Sequence, residues 1–230
     1  MVKQLCGRPA VIVSYLRGSE VKLITPEHCT QLGIELGKIH TSGLNLSAHR
    51  ENDFSVKSWL RVAQKVSFQI EKFDVGLRQE IFSGLAIFEK DWPQNLPKGL
   101  IHGDLFPDNV FFEENKISGI FDFYFSCTDS FAYDISICIN AWCFNVDETL
   151  NFDKVECLLN SYQLIRNLSR EEREALPILA SGSAMRFFLT RFYDWINHHG
   201  NALIILKNPT EYLSKMRFHR DSNWLKDCNF

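Results

Sequence analysis

The stretch Leu100–Ser126, LIHGDLFPDNVFFEENKISGIFDFYFS, sets His102, Asp104, Asp108, Asn109 and Asp122 among apolar runs. A buried carboxylate is costly unless a cation or a proton donor meets it. These acids therefore either cap turns or hold a cation and a substrate.

Their spacing bears on that choice. His102-Gly103-Asp104 ends one expected strand, Asn109 opens the next, and Asp122 ends a third. Adjacent strands then set Asn109 near Asp122, with Asp104 on the loop before them. An oxygen-only pair such as Asn plus Asp suits Mg²⁺, which takes few protein ligands and keeps positions for phosphate. A separate loop carboxylate suits a base that accepts a hydroxyl proton. Protein-kinase phosphoryl transfer divides the labour in this way. The alternative is that Asp104 and Asp108 are turn formers around Pro107. The joint pattern, HxD with a following Asn and a strand-terminal Asp after a hairpin, is the more specific signal.

Several elements must position these residues. Pro9–Leu16 (PAVIVSYL) is rich in β-branched side chains and reads as a strand ended by Gly18. Thr25 as N-cap, Pro26 at the first helical position and Leu32, Leu36 and Ile39 at helical spacing predict a helix over 26–42. Ser42–Ser55 reads as a loop, and Val56–Phe68 as a weaker helix. Val75–Trp92 carries Leu77, Ile81, Leu85 and Phe88 on one face and is stopped by Pro93 and Pro97. Three short strands follow, Leu100–His102, Asn109–Phe112 and Ile117–Phe121, the last two joined by a hairpin-like turn at Glu113–Lys116.

From Phe131 onward the pattern is helical: an apolar Phe131–Phe144, then Asp153–Arg166, then a start at the capping box Ser169–Glu172. Pro177 is expected to break that helix, with Ile178–His198 and Pro209–Phe218 completing the chain. Trp142, Tyr193 and Trp195 read as core aromatics. The expected fold class is α+β, mainly helical, with a small β-insert carrying the acids.

Bulk properties narrow the function. At 230 residues the chain can bury a sizeable core, and 45% hydrophobic with 23% charged residues is ordinary for a globular protein. A net charge of -3 gives no global bias toward nucleic acid or anionic membrane. Seven cysteines include no CxxC pair, which suits a reducing cytosol. Cys138 and Cys143 read as small buried apolar groups and not as a metal pair. No signal core or membrane-length apolar run is visible, so a cytoplasmic location is expected.

IHGDLFPDNVFF with GIFDFYFSCTDSFAYDISICINAWCF resembles the aminoglycoside-phosphotransferase-like kinases. The segments FYFSCTD and RFFLTRFYDW point to their homoserine kinase branch, and the similarity runs over essentially the whole chain. The resemblance implies a protein-kinase-like C-terminal lobe. ATP would be the co-substrate, Mg²⁺ the metal and the hydroxyl of L-homoserine the acceptor. It implies Asp104 as the catalytic base, His102 as orienter of the catalytic loop, and Asn109 and Asp122 as metal ligands. His102 is alternatively a strand-end histidine bonded to backbone. Asp134 is either a brace for the loop or a partner for a helix N-terminus. An amino-acid acceptor needs partners for its carboxylate and its ammonium. Arg186 and Arg191 are candidates for the first and Asp129 for the second, the alternatives being salt bridges or turns. Tyr124 stands where protein kinases carry Gly, which suits a branch without a switching activation loop. Choline, aminoglycoside and methylthioribose-like acceptors are the alternatives within the family.

Such kinases cover ATP with a Gly-rich loop and a strand Lys from an N-terminal lobe. Neither is found before the hinge-like strand, and Lys3 and Lys22 do not fit the second role. Residues 1–20 are therefore expected to be the hinge and a remnant of that lobe, and 21–230 the catalytic and substrate lobe. The roof would come from a longer protein or a separate N-terminal polypeptide, or the chain is a degraded relative. In the roof's absence the chain would be catalytically silent.

Overall fold

The computed structural model describes residues 3–44, 46–198 and 206–230; Met1, Val2 and Asn45, which fall in the expected hinge segment and loop, lie outside them. The chain opens with an antiparallel hairpin, β1 (Lys3–Leu5) and β2 (Arg8–Ala10), turned at Cys6 and Gly7. The strand expected over Pro9–Leu16 stops at Ala10. Beyond it Ile12 (92%), Val13 (77%) and Tyr15 (92%) are exposed. High β-propensity does not make a strand where no described strand lies alongside to complete its ladder. The following residues are tied down: Ser19 and Phe112 exchange backbone hydrogen bonds at 3.1 and 2.9 Å, and Ser118 Oγ donates to the Arg17 carbonyl at 2.7 Å.

Helix α1 (Pro26–Gly43) starts as its sequence dictates. Thr25 Oγ1 accepts from His28 N, and the Thr25 N–H donates to His28 Nδ1 at 3.1 Å, a capping box with His in the usual Glu place. Its buried face packs along α5 (Phe152–Gln163). Close approach there requires glycine: a Cβ on Gly33 would collide with the Leu158 carbonyl, and one on Gly37 would lie 2.8 Å from Ile165 Cβ. α2 (Val56–Phe73) runs a full turn beyond its expected end. α3 (Leu77–Asp91) buries Leu77, Ile81, Leu85 and Phe88 as the spacing predicts. Gly76, left-handed at φ 87°, separates the two.

Strand β3 (Lys98–Ile101) pairs antiparallel with β6 (Cys127–Ser130), a strand the sequence pattern did not reveal. β4 (Val110–Glu113) and β5 (Lys116–Ile120) form the expected hairpin. β6 leads directly into α4 (Phe131–Trp142), buried at nearly every position. Pro177 does not break the next helix. α6 runs unbroken from Arg170 to Asn197. A proline removes one backbone hydrogen bond, and burial of Leu176, Leu179, Ala180 and Ala184 in the common core offsets that loss. α7 (Thr210–Asp221) closes against α6. The result is the mainly helical α+β body expected from sequence. Among the described residues no helix is long and apolar enough to cross a membrane.

Candidate active site

The ends of β3 and β5 and the start of α4 converge. Asp134, fully buried on the first turn of α4, accepts the backbone N–H groups of His102 and Gly103 at 2.8 Å each. His40 Nε2 of α1 donates to the same carboxylate at 3.1 Å. Burial opposes ionisation, yet the His40 hydrogen bond and charge, the nearby His102 and the Gly103 N–H together hold the Asp134 carboxyl below the usual range. The chain continues backward: Tyr162 lies 2.8 Å from His40 Nδ1, and Arg166 donates to the Tyr162 hydroxyl at 3.3 Å. Asp134 thus grips the backbone of the HGD turn, and a buried polar chain stands behind it. Gly103 turns there with φ 76°, and a Cβ would lie 2.9 Å from the Phe125 carbonyl, so the turn needs glycine.

His102 is fully buried and bonds at both ring nitrogens. Nε2 donates to the Phe121 carbonyl at 3.0 Å, and Nδ1 accepts the Asp104 N–H at 3.3 Å. It links the loop that carries Asp104 to the residue preceding Asp122. Asn109 sits at the end of the Pro107–Asn109 3₁₀ turn, with Nδ2 donating to the Asp104 carbonyl at 2.8 Å and its own carbonyl accepting Phe121 N–H at 3.1 Å. Asn109 Oδ1 has no hydrogen-bond partner among the described residues. Asp122 follows β5 in a left-handed conformation (φ 64°), and its Oδ1 is buried with no partner. An unpaired buried carboxylate oxygen on an outlying backbone conformation is a feature of functional sites. With Asn109 it makes an oxygen-only donor pair that fits a hard divalent cation.

Asp104 lines a cavity of about 330 Å³ with Arg186, Thr190, Tyr193, Asp194, Phe54 and Phe187 among its neighbours. Burial pushes its carboxyl up, Arg186, His102 and Lys207 pull it back, and Asp122 adds to the rise. A carboxylate made more basic beside an open cavity is chemically a proton acceptor. Trp142 Nε1 donates to the Leu105 carbonyl at 2.9 Å, fixing the loop from below.

Arg186 is 3% exposed and belongs to this cavity. Its Nη1 donates to the Gly103 carbonyl at 2.8 Å, and its guanidinium stacks on Phe54 and Phe187 at 4.5 and 4.6 Å. Arg191 is not beside it. Five residues along a helix turn the side chain about 140° away, and Arg191 is instead paired with Glu211 at 2.8 Å over the Tyr212 ring. Asp129 lies on β6 with both oxygens occupied, by Asn52 Nδ2 and the Ser130 N–H at 2.7 Å each. It faces a different cavity, of about 740 Å³, on the far side of Phe54. Asp108 is held at 2.6 Å by Lys207. Of the three aromatics read as core, only Trp142 is; Tyr193 and Trp195 are 38% and 45% exposed, and Tyr193 lines the cavity. Sequence reasoning passed over His40 and Asp194. Asp194 carried a signal, since it follows Arg186 and Thr190 at four-residue steps on one helix face.

Comparison with known proteins bears on the family and the fold. The profile of the phosphotransferase enzyme family matches residues 2–157. A homoserine kinase of Parvibaculum lavamentivorans is 47% identical over 220 residues, 96% of this chain and 68% of its own length. One of Rhizobium meliloti is 46% identical over 216 residues, 94% of this chain and 66% of its own. The chain thus spans about two thirds of these relatives. Among solved structures, a choline kinase from Cryptosporidium parvum Iowa II superposes with a TM-score of 0.64 at 13% identity, covering 93% of this chain and 69% of its own. An amicoumacin kinase gives 0.57 at 16% identity, covering 91% and 62%. These two share the fold. The family match and the relatives near one-half identity carry the assignment: the chain belongs to the phosphotransferase enzyme family.

Proposed function

We propose that the complete protein is a kinase that transfers the terminal phosphoryl group of ATP to the hydroxyl of L-homoserine, in the cytoplasm. The observation that carries this reading is Asp104, a carboxylate of raised basicity at a cavity, tied through His102 and Asn109 to the unpartnered Asp122. Asp104 accepts the acceptor's hydroxyl proton as that oxygen attacks the γ-phosphorus and the bond to the β-phosphate breaks, releasing ADP. Asn109 and Asp122 would hold Mg²⁺, which when bound neutralises phosphate charge. His102 and Asp134 keep the loop in register, and Asp134 does so through backbone N–H groups. Arg186 is the candidate partner for the substrate carboxylate. In this reading residues 1–20 are the hinge and margin of a nucleotide-covering lobe, and 21–230 the catalytic and substrate lobe.

Homoserine is favoured over choline by the neighbours of Asp104. A quaternary ammonium is recognised by free aromatic faces. Phe54 and Phe187 already stack against the Arg186 guanidinium, and although Phe125 and Tyr193 also line the cavity, that guanidinium meets a choline cation with like charge and an amino-acid carboxylate with opposite charge. The relatives named homoserine kinases point the same way.

The test is turnover with Mg·ATP on L-homoserine, choline and ethanolamine, using the complete protein and Asp104→Asn. Phosphohomoserine should form, and D104N should lower turnover by roughly a hundredfold or more with ATP binding retained. Undiminished turnover of D104N would overturn the role of Asp104.

A further inference from the structure

The cavity beside Asp104 holds two opposite charges that the phosphoryl chemistry does not use. Arg186 Nη1 donates to the Gly103 carbonyl, and its guanidinium also lies beside the buried Tyr133 hydroxyl; its Nε is buried. Nη2 makes no hydrogen bond among the described residues. The guanidinium keeps further N–H donors, at Nη2, for a carboxylate entering the cavity. Eight residues further along α6, Asp194 lines the same cavity and has neither a hydrogen bond nor an ion pair among the described residues. Thr190 stands between them on that face, its hydroxyl turned back to the Arg186 carbonyl at 3.1 Å.

We infer that Asp194 determines specificity by binding the α-ammonium of a zwitterionic acceptor whose carboxylate lies on Arg186 and whose hydroxyl lies at Asp104. The inference rests on the proposed homoserine reading. It moves the ammonium from Asp129, whose two oxygens are occupied by Asn52 and Ser130, to a carboxylate with none. Two helical turns separate Arg186 from Asp194, about 12 Å along the axis. A long guanidinium, a short carboxylate and one small amino acid with its hydrogen bonds span that gap. Partial desolvation on the cavity side raises the Asp194 carboxyl, with no cation opposing it. A bound ammonium would supply the missing counter-charge.

The decisive comparison pairs a change in the protein with the same change in the ligand. Turnover of the complete protein is measured with L-homoserine and with 4-hydroxybutanoate, which lacks the ammonium, for wild type and Asp194→Asn. The wild type should prefer homoserine. D194N should lose on the order of tenfold to a hundredfold in kcat/KM on homoserine, mainly through KM, with little change on 4-hydroxybutanoate. The KM for ATP should not move. Equal losses on both acceptors, or none on either, would overturn the role of Asp194 while leaving the homoserine reading intact. Wild-type enzyme that ignores homoserine and phosphorylates choline would overturn the acceptor and this site together. Asp194 is exposed on its helix, so the variant keeps the fold, and matching melting curves verify it.

Discussion

Asn109 Nδ2 donates to the backbone carbonyl of Asp104 at 2.8 Å. One side chain therefore spans two tasks: its nitrogen holds the loop that carries the base, and its oxygen is left for a cation. Two substitutions separate the tasks. Asn109→Asp keeps an oxygen for Mg²⁺ and loses the donor. Asn109→Ala loses both.

Losing one such hydrogen bond amounts to about 1 kcal/mol, a several-fold fall in turnover. N109D should show that fall with a Mg²⁺ half-saturation near that of wild type. N109A should in addition need on the order of tenfold more Mg²⁺. Initial rates across a Mg²⁺ series at fixed ATP decide it. If N109A saturates at the wild-type concentration, Asn109 is not a metal ligand.

How much of this was legible follows from where the information lies. Asp104, Asn109 and Asp122 belong to one short stretch whose turns and hairpin are local, so spacing alone placed them together. His40 meets Asp134 from a helix 94 positions away, and no local pattern announces that contact. Asp194 shares a helix face with Arg186 within the stretch already expected to be helical, whereas the continuation of α6 through Pro177, where local chemistry predicted a break, was not legible. Tertiary burial outweighed one lost hydrogen bond. The Val11–Leu16 segment failed in the opposite sense. Its composition favours a strand, and pairing, which composition cannot supply, decides.

Asp134 has three N–H donors on one buried carboxylate, from His102, Gly103 and His40. An amide offers one oxygen, so in Asp134→Asn the NH₂ group must face a buried N–H. That mismatch, with the lost charge-assisted bond to His40, costs about 3 kcal/mol. At this chain length each kcal/mol moves the Tm by roughly 2–4 °C. D134N should therefore melt well below wild type and turn over more slowly, with an ATP KM little changed. A Tm within a degree of wild type would show that Asp134 is a helix-terminus charge and not the grip on the HGD turn.

His219 gives the protein a pH dependence unrelated to catalysis. It is 3% exposed, with Nε2 donating to Asn140 Oδ1 at 2.8 Å and Nδ1 without a partner. Burial first, and then the Lys215 charge, push its pKa from 6.5 down to about 3. Between those values the unfolded chain binds a proton that the folded chain does not. Unfolding therefore takes up a proton, and stability falls as pH drops below 6.5, by up to about 1.4 kcal/mol per unit from this residue. His219→Gln retains a donor for Asn140 and removes the titration. It should be less stable at pH 8, because the ring packs on Phe144, Phe218 and Trp224. Between about pH 6.5 and 4.5 it should lose roughly 2 kcal/mol less than wild type does. Urea unfolding at several pH values measures both slopes; parallel slopes would mean that His219 is protonated in the folded protein or plays no part in its acid lability.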